Sequence, residues 1–189
     1  MKKIFVAVAL AGFASSAFAV VAGSKHDLRV APYNGTFASA CMYCHTPHRA
    51  TSNVAPIWAR TDPATVTVTN VFGTGTISTR NSATCLTCHA TAAGAAGLGG
   101  VTANLPATAI IDTNLGNDHP IGSAAIFTGV STDGFVAVAT FDATGFTLAT
   151  NDAVECATCH DVHNTVVEAG SKLLRGYTGA DFCGTCHNK

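Results

Sequence analysis

Charged side chains are scarce in this chain of 189 residues. Asp, Glu, Lys and Arg make up 11% of the sequence, against about 25% in an ordinary soluble domain. The formal net charge is −1, so the chain lacks the basic surface with which proteins bind nucleic acid. Few surface charges give weak protection against self-association. Small uncharged residues also suit a chain that must wrap closely around large bound groups, and both interpretations stay open.

Long stretches of hydrophobic periodicity are also missing, which argues against a helical bundle. Threonine and valine alternate over residues 65–71, and this period of two predicts a strand. Residues 124–130, 135–141 and 146–150 are separated by turn residues and predict a small β-meander. Residues 90–100 are almost entirely Ala, Gly and Thr and predict a loop. We therefore expect little regular secondary structure.

No cysteine lies outside one repeated pattern, because all eight belong to four copies of Cys-x-x-Cys-His. The pattern is the signature of covalent c-type haem attachment. Two thiols three positions apart reach two vinyl groups on one porphyrin edge, and the following histidine is the proximal iron ligand. Zinc sites and disulfides also use Cys-x-x-Cys pairs, but a histidine after every pair favours haem. The predicted attachment residues are Cys41, Cys44, Cys85, Cys88, Cys156, Cys159, Cys183 and Cys186, with proximal ligands His45, His89, His160 and His187.

Methionine cannot supply the sixth ligands of four irons. Met1 begins the sequence, and Met42 lies between the two cysteines of the first motif. The histidines outside the motifs number four, one for each haem: His26, His48, His119 and His163. Bis-histidine ligation of four covalently bound c-type haems is the economical interpretation, and a surface or packing role is the alternative for each histidine. Two imidazole ligands without methionine predict low-potential electron-transfer haems and leave no open iron for catalysis.

The spacing of two of these histidines restricts which iron they can reach. His48 and His163 each follow the proximal histidine of their own motif by three residues. Such a link spans at most about 10–11 Å, whereas the α-carbons of two ligands on opposite faces of one haem lie roughly 12 Å apart. We therefore expect each to ligate a neighbouring haem. Chain order suggests the second motif for His48 and the fourth for His163, which leaves His26 and His119 for the other two.

The first 19 residues predict a secretory signal peptide. Lys2 and Lys3 precede an apolar run over residues 4–13, and Ala17-Phe18-Ala19 fits a cleavage site. A retained membrane anchor is the weaker alternative because the run is short. Residues 20–189 are expected to form a single tetrahaem domain, exported to the periplasm or cell exterior, with no stable membrane span. Its fold class is a mostly irregular multihaem cytochrome c, with short helical turns at the motifs, a small β-meander and haems forming the core.

Several segments resemble those of known cytochromes. Ser24-Lys25-His26-Asp27-Leu28 followed by Cys41-Met42-Tyr43-Cys44-His45-Thr46-Pro47-His48 resembles small cytochromes of metal-respiring bacteria, as do Asp118-His119-Pro120-Ile121-Gly122 and Pro56-Ile57-Trp58. The motif number, the chain length and the richness in Ala, Thr and Gly are similar to tetrahaem subunits of extracellular cytochrome filaments. This resemblance implies identical subunits joined head to tail, with a histidine near one end ligating a haem of the next. His26 is the candidate for that crossing, and ligation within its own chain is the alternative.

The sequence thus predicts an electron-transfer protein and not an enzyme, most economically a subunit of an extracellular electron-conducting filament. A head-to-tail contact that does not close gives a fibre. The first alternative is a soluble monomeric tetrahaem shuttle in the periplasm. The second is a multihaem reductase, which requires one non-motif histidine not to be a ligand. Redox partner cytochromes or extracellular acceptors are the expected partners besides identical subunits.

Overall fold

The computed structural model describes residues 21–46, 48, 57–61, 65–77, 82–142, 146–163, 173–175 and 180–188. Over these ranges the chain is mostly irregular, with short helices and one two-stranded antiparallel sheet. The predicted scarcity of regular structure is confirmed there. None of the helices in these ranges has the length and apolar character needed to cross a membrane. The predicted signal peptide lies outside the described residues.

Every haem motif lies on a helical turn, as predicted. The α-helices are α1 (Ala83–His89), α2 (Val138–Asp142), α3 (Cys156–Cys159) and α4 (Ala180–Gly184). Helices α1, α3 and α4 carry cysteines of the second, third and fourth motifs, and the first motif begins on a 3-10 turn, Ala40–Tyr43. Residues three apart lie on the same face of a helical turn. Both thiols of each motif are therefore presented together.

The sheet is a hairpin that packs beside the second motif. Strand β1 (Val66–Asn70) pairs with β2 (Gly73–Ile77), with Val66 opposite Ile77. The predicted strand over residues 65–71 is confirmed. Its partner β2 was not predicted. Val68 and Ile77 point into one core cluster, which they share with Ala83, Leu86 and Leu115. The buried face of the hairpin thus packs against α1.

The predicted β-meander is wrong over the described residues, while residues 143–145 lie outside them. Only isolated bridges form, between Ile126 and Ala153 and between Phe135 and His187, and α2 replaces part of the second predicted strand. The backbone bonds go to segments that flank haem motifs: Val136 N–H donates to the carbonyl of Cys186 at 2.9 Å. The first segment bonds to residues just before the third motif, with Phe127 N–H donating to the carbonyl of Asp152 at 3.0 Å, and no meander forms among the described residues.

The phenylalanines of these segments form a core cluster. Phe127, Phe141 and Phe146 are buried, and Phe182 and Cys186 pack against them. The ring centroids of Phe127 and Phe141 are 4.7 Å apart, and those of Phe146 and Phe182 are 5.5 Å apart. These separations are typical of favourable aromatic pairs. The cluster attaches α4, and with it the fourth motif, to the rest of the chain.

Replacing Phe141 by alanine is expected to lower the free energy of unfolding by about 3–5 kcal/mol, because the ring is buried and its removal leaves a cavity. The exposed fraction of Phe141 is 2%. Phe72→Ala is the matched control, since Phe72 is 68% exposed and its loss should change stability by about 0.5 kcal/mol or less. Denaturant unfolding of both variants measures the difference, and equal destabilisation would contradict the packing described.

The segment predicted as a loop over residues 90–100 consists of turns, but it contributes to a core. Ala95 is buried against Tyr43 and Val101. Gly99 adopts φ 53°, and a β-carbon there would meet the Phe37 ring at 2.6 Å. Glycine is therefore required for this close approach. The segment packs against the first motif through Tyr43.

Candidate haem-binding site

Three pairs of histidine rings face each other among the described residues, and each pair joins a motif histidine to a non-motif histidine. The ring centroids are 5.9 Å apart for His26 and His89, 5.9 Å for His45 and His163, and 6.2 Å for His119 and His187. Two imidazoles on opposite sides of one metal, with bonds of about 2 Å, have centres roughly 6 Å apart. Aromatic packing alone gives about 4.5–7 Å, so the distances do not decide between the two. The consistent combination of one motif histidine with one non-motif histidine favours shared iron.

Hydrogen bonds to backbone carbonyls fix the tautomer of two of these rings. Nδ1 of His89 lies 2.7 Å from the carbonyl oxygen of Ala109, and Nδ1 of His119 lies 2.9 Å from that of Pro120. A carbonyl oxygen only accepts, so each Nδ1 carries the proton and donates. The Nε2 atom of each ring then has its lone pair available for a metal, and such a bond from the second ring nitrogen is usual in metal-ligating histidines. The residues present therefore fit a haem iron.

His26 is held in the form that binds metals. Desolvation by burial, with smaller effects from nearby His89 and His160, lowers the pKa of His26 to about 4. The ring is neutral at pH 7, as iron ligation requires. Its Nδ1 is fully enclosed and has no hydrogen-bond partner among the described residues. Enclosing such a polar atom without a partner costs free energy.

A buried carboxylate anchors the segment that contains His26. Asp27 accepts hydrogen bonds from the backbone N–H of Gly23 at 3.0 Å and from Nε and Nη2 of Arg29 at 2.7 Å each. The Arg29 guanidinium holds the pKa of Asp27 well below its usual range. Bidentate pairs of this kind are geometrically specific. The backbone beside His26 is thereby fixed.

The residues that follow this segment are bonded to other parts of the chain. Thr36 N–H donates to the carbonyl of Gly99 at 2.6 Å, and Phe37 N–H donates to the Tyr43 hydroxyl at 3.1 Å. The ring of His26 faces His89 of the same chain, and the crossing of His26 to a neighbouring subunit stays a prediction.

The ring pairs differ from those suggested by chain order. His26, and not His48, faces the second motif, and His163 faces the first motif and not the fourth. The ring of His163 lies against His45 of the first motif, and its ligation of a haem other than that of its own motif stays a prediction. Chain order does not predict these ring pairs because the links between motifs are irregular. Contacts between motifs, and not distance along the sequence, decide which non-motif histidine lies near each motif histidine. His48 is exposed and belongs to none of the three pairs.

The cysteines place the motifs in a series that follows chain order. Cys85 and Cys156 are hydrogen bonded, and this bond lowers the pKa of the Cys156 thiol to about 7. Burial raises the pKa of Cys44 and of Cys159 to about 11, with smaller contributions from nearby thiols. The neighbouring thiols from successive motifs are Cys44 and Cys88, Cys85 and Cys156, and Cys159 and Cys186. Because each sulfur is a predicted attachment point of a porphyrin edge, haems on successive motifs are expected to approach one another near these cysteines.

Ser82 and Glu155 join the beginnings of α1 and α3. Ser82 N–H donates to Glu155 Oε2 at 3.1 Å, and Cys156 N–H donates to Ser82 Oγ at 2.6 Å. Glu155 N–H donates to Thr158 Oγ1 at 3.0 Å and completes a capping box. Ser82, Glu155 and Thr158 are buried, and buried polar groups are stable when bonded in this way. The second and third motifs are thus fixed to each other.

Ser82→Ala is expected to destabilise the protein by about 1–3 kcal/mol, because Cys156 N–H, which is partly shielded from water, loses its acceptor. Ser123→Ala is the control: Ser123 Oγ also accepts a backbone N–H, from Thr76 at 2.9 Å, but that site is exposed. Water can replace the lost bond there, so the control should change stability by about 0.5 kcal/mol or less. Thermal unfolding of both haem-loaded variants gives the comparison, and equal effects would show that the joint does not stabilise the protein.

The sequence model of one family, described as the doubled CXXCH motif, matches residues 149–189. This range contains the third and fourth motifs. Paired motifs of this kind indicate a c-type cytochrome family and imply covalently bound c-type haem. Comparison with curated proteins and with solved structures gives no significant match.

Proposed function

We propose that this chain transfers electrons through four bis-histidine c-type haems, as a polymerising subunit of an extracellular electron-conducting filament. The main support for bis-histidine ligation is that each of three facing ring pairs joins a motif histidine to a non-motif histidine. Residues 20–189 form the exported domain in this proposal, after removal of residues 1–19.

The chain's own residues hold and orient the cofactor. The eight cysteines attach the porphyrins as thioethers, and the histidines present Nε2. The bonds of His89 and His119 to backbone carbonyls support this for two of them. Haem supplies reversible one-electron chemistry when bound. Two imidazoles on every iron leave no position for a substrate, which supports electron transfer and not catalysis.

The surface supports the filament. Charge is scarce, and Val71 and Phe72, at the turn of the hairpin, are 69% and 68% exposed. Exposed apolar residues on a surface with few charges favour association. A second candidate, the soluble monomeric shuttle in the periplasm, is supported by one specific observation: His26 faces His89 of its own chain, where it would ligate without a neighbouring subunit.

Electron microscopy of the haem-loaded native protein separates these two functions. Long filaments with a regular repeat are the expected result. Discrete small particles at all concentrations would leave electron transfer intact and replace the filament by the shuttle.

The ferrous native protein is expected to bind no carbon monoxide without denaturation, because every iron carries two imidazoles. The Soret band should remain unchanged during a titration under anaerobic conditions. Rapid binding of one carbon monoxide per chain would indicate an open iron and favour the multihaem reductase.

A further inference from the structure

The first and third motifs share a longer pattern than the haem signature. Residues 41–48 and 156–163 both read Cys-x-x-Cys-His-x-x-His. His48 therefore occupies the position in the first pattern that His163 occupies in the third.

The backbone around the two patterns is also the same. Thr46 N–H donates to the carbonyl of Ile57 at 2.7 Å, and Ala59 N–H donates to that of Cys44 at 2.8 Å. An antiparallel bridge pairs His45 with Trp58 between these two bonds. A returning segment thus pairs with the end of the first motif.

The third motif repeats this arrangement bond for bond. Asp161 N–H donates to the carbonyl of Leu173 at 2.8 Å, and Arg175 N–H donates to that of Cys159 at 2.9 Å. His160 and Leu174 form the corresponding bridge. Even the rare positive φ recurs, at 51° for Ile57 and 59° for Leu173. Non-glycine residues adopt such angles seldom, so their recurrence at equivalent positions indicates a structural repeat.

The repeat extends to the second motif of each half. His26 precedes the first motif and faces His89 of the second, and His119 precedes the third motif and faces His187 of the fourth. In the described residues the chain therefore contains two corresponding units, which we call unit 1 (His26 to His89) and unit 2 (His119 to His187).

We propose that His48 ligates the iron of the haem attached to the third motif, opposite His160. His163 leaves unit 2 and faces His45, the first motif histidine of unit 1. By the same rule we expect His48, which corresponds to His163, to face His160, the first motif histidine of unit 2, and not a histidine of unit 1. The three-residue link excludes the iron of its own motif, as for His163. The exposed position of His48 is compatible with a unit 2 in the same chain or in a second copy. The inference rests on bis-histidine ligation, which the native protein's failure to bind carbon monoxide tests separately.

The test uses the full-length ferrous protein with carbon monoxide. His48→Ala is expected to raise binding from none to one carbon monoxide per chain, and further replacement of Cys156 and Cys159 by alanine, which removes the third haem, should abolish it. The matched control is His163→Ala, which should also bind one carbon monoxide per chain. That binding should be lost when Cys41 and Cys44 are replaced by alanine, because this change removes the first haem. No binding by His48→Ala, or binding that survives loss of the third haem, would overturn the proposal.

Two further measurements complete the test. If chains without the third haem do not accumulate, a density map of the full-length native protein shows directly whether the His48 ring reaches the third iron. Where chains that lack the third haem but retain His48 do accumulate, mixing them with His48→Ala chains identifies the source of the ligand. Loss of carbon monoxide binding on mixing indicates a second copy of the chain, and unchanged binding indicates the same chain; either result supports ligation of the third haem by His48.

Discussion

Alanine at position 26 is expected to leave all four haems covalently attached and to open one iron to carbon monoxide. The His26 ring faces His89 at 5.9 Å, and its low pKa keeps it neutral and ready to bind metal. Its loss removes one of two strong ligands, so the second haem becomes five-coordinate. The ferrous variant should bind one carbon monoxide per chain where the native protein binds none.

Lys25→Ala is the control for this variant, since Lys25 is the exposed neighbour of His26 and has no part in the ring pair. It should bind no carbon monoxide. The assembly state of His26→Ala should equal that of the native protein, because the ligand stays within one chain. If His26 instead reaches a neighbouring subunit, the variant loses its filaments, and dilution of the native protein to monomers also opens one iron.

Alanine at position 163 is expected to open the first haem and leave the fourth six-coordinate. The rings of His163 and His45 are 5.9 Å apart with an interplanar angle of 23°, whereas His187 faces His119. The two possible pairings of His163 therefore predict different open irons.

The location of the open iron follows from removing one haem at a time. Carbon monoxide binding by His163→Ala should vanish when Cys41 and Cys44 are also replaced by alanine, and should persist when Cys183 and Cys186 are replaced. The reverse result would restore the pairing that chain order suggests and contradict the ring geometry.

The failure of the predicted meander shows where local patterns mislead. Alternation in residues such as Phe135 and Phe141 indicates that side chains will be buried, but not what they will be buried against. In the structure both rings pack against Phe127, Phe182 of α4 joins the same cluster, and the backbone of Val136 bonds to the fourth motif. A strand needs a partner of matching register, and the segments that flank the motifs supplied other partners first.

The joint between the second and third motifs was equally hidden in the sequence. Glu155 and Thr158 stand at the spacing of a capping box, with the acidic and hydroxyl residues interchanged. Nothing local indicates that Glu155 also bonds to Ser82, because the two residues are far apart in the chain. Such polar contacts are visible only after folding has brought them together.

The sequence by itself determined the attachment chemistry of this protein: its eight cysteines all lie in four Cys-x-x-Cys-His motifs, which imply covalently bound c-type haem. The four motif histidines and the four further histidines are the predicted ligands. These follow from residue type and short spacing, which the covalent geometry of the backbone fixes locally. Only the tertiary structure decided which histidines face each other, the Ser82–Glu155 joint, and the equivalence of the units around His45 and His160. Those features depend on contacts between residues distant in the chain, and irregular links allow many such contacts until packing and buried hydrogen bonds select one set.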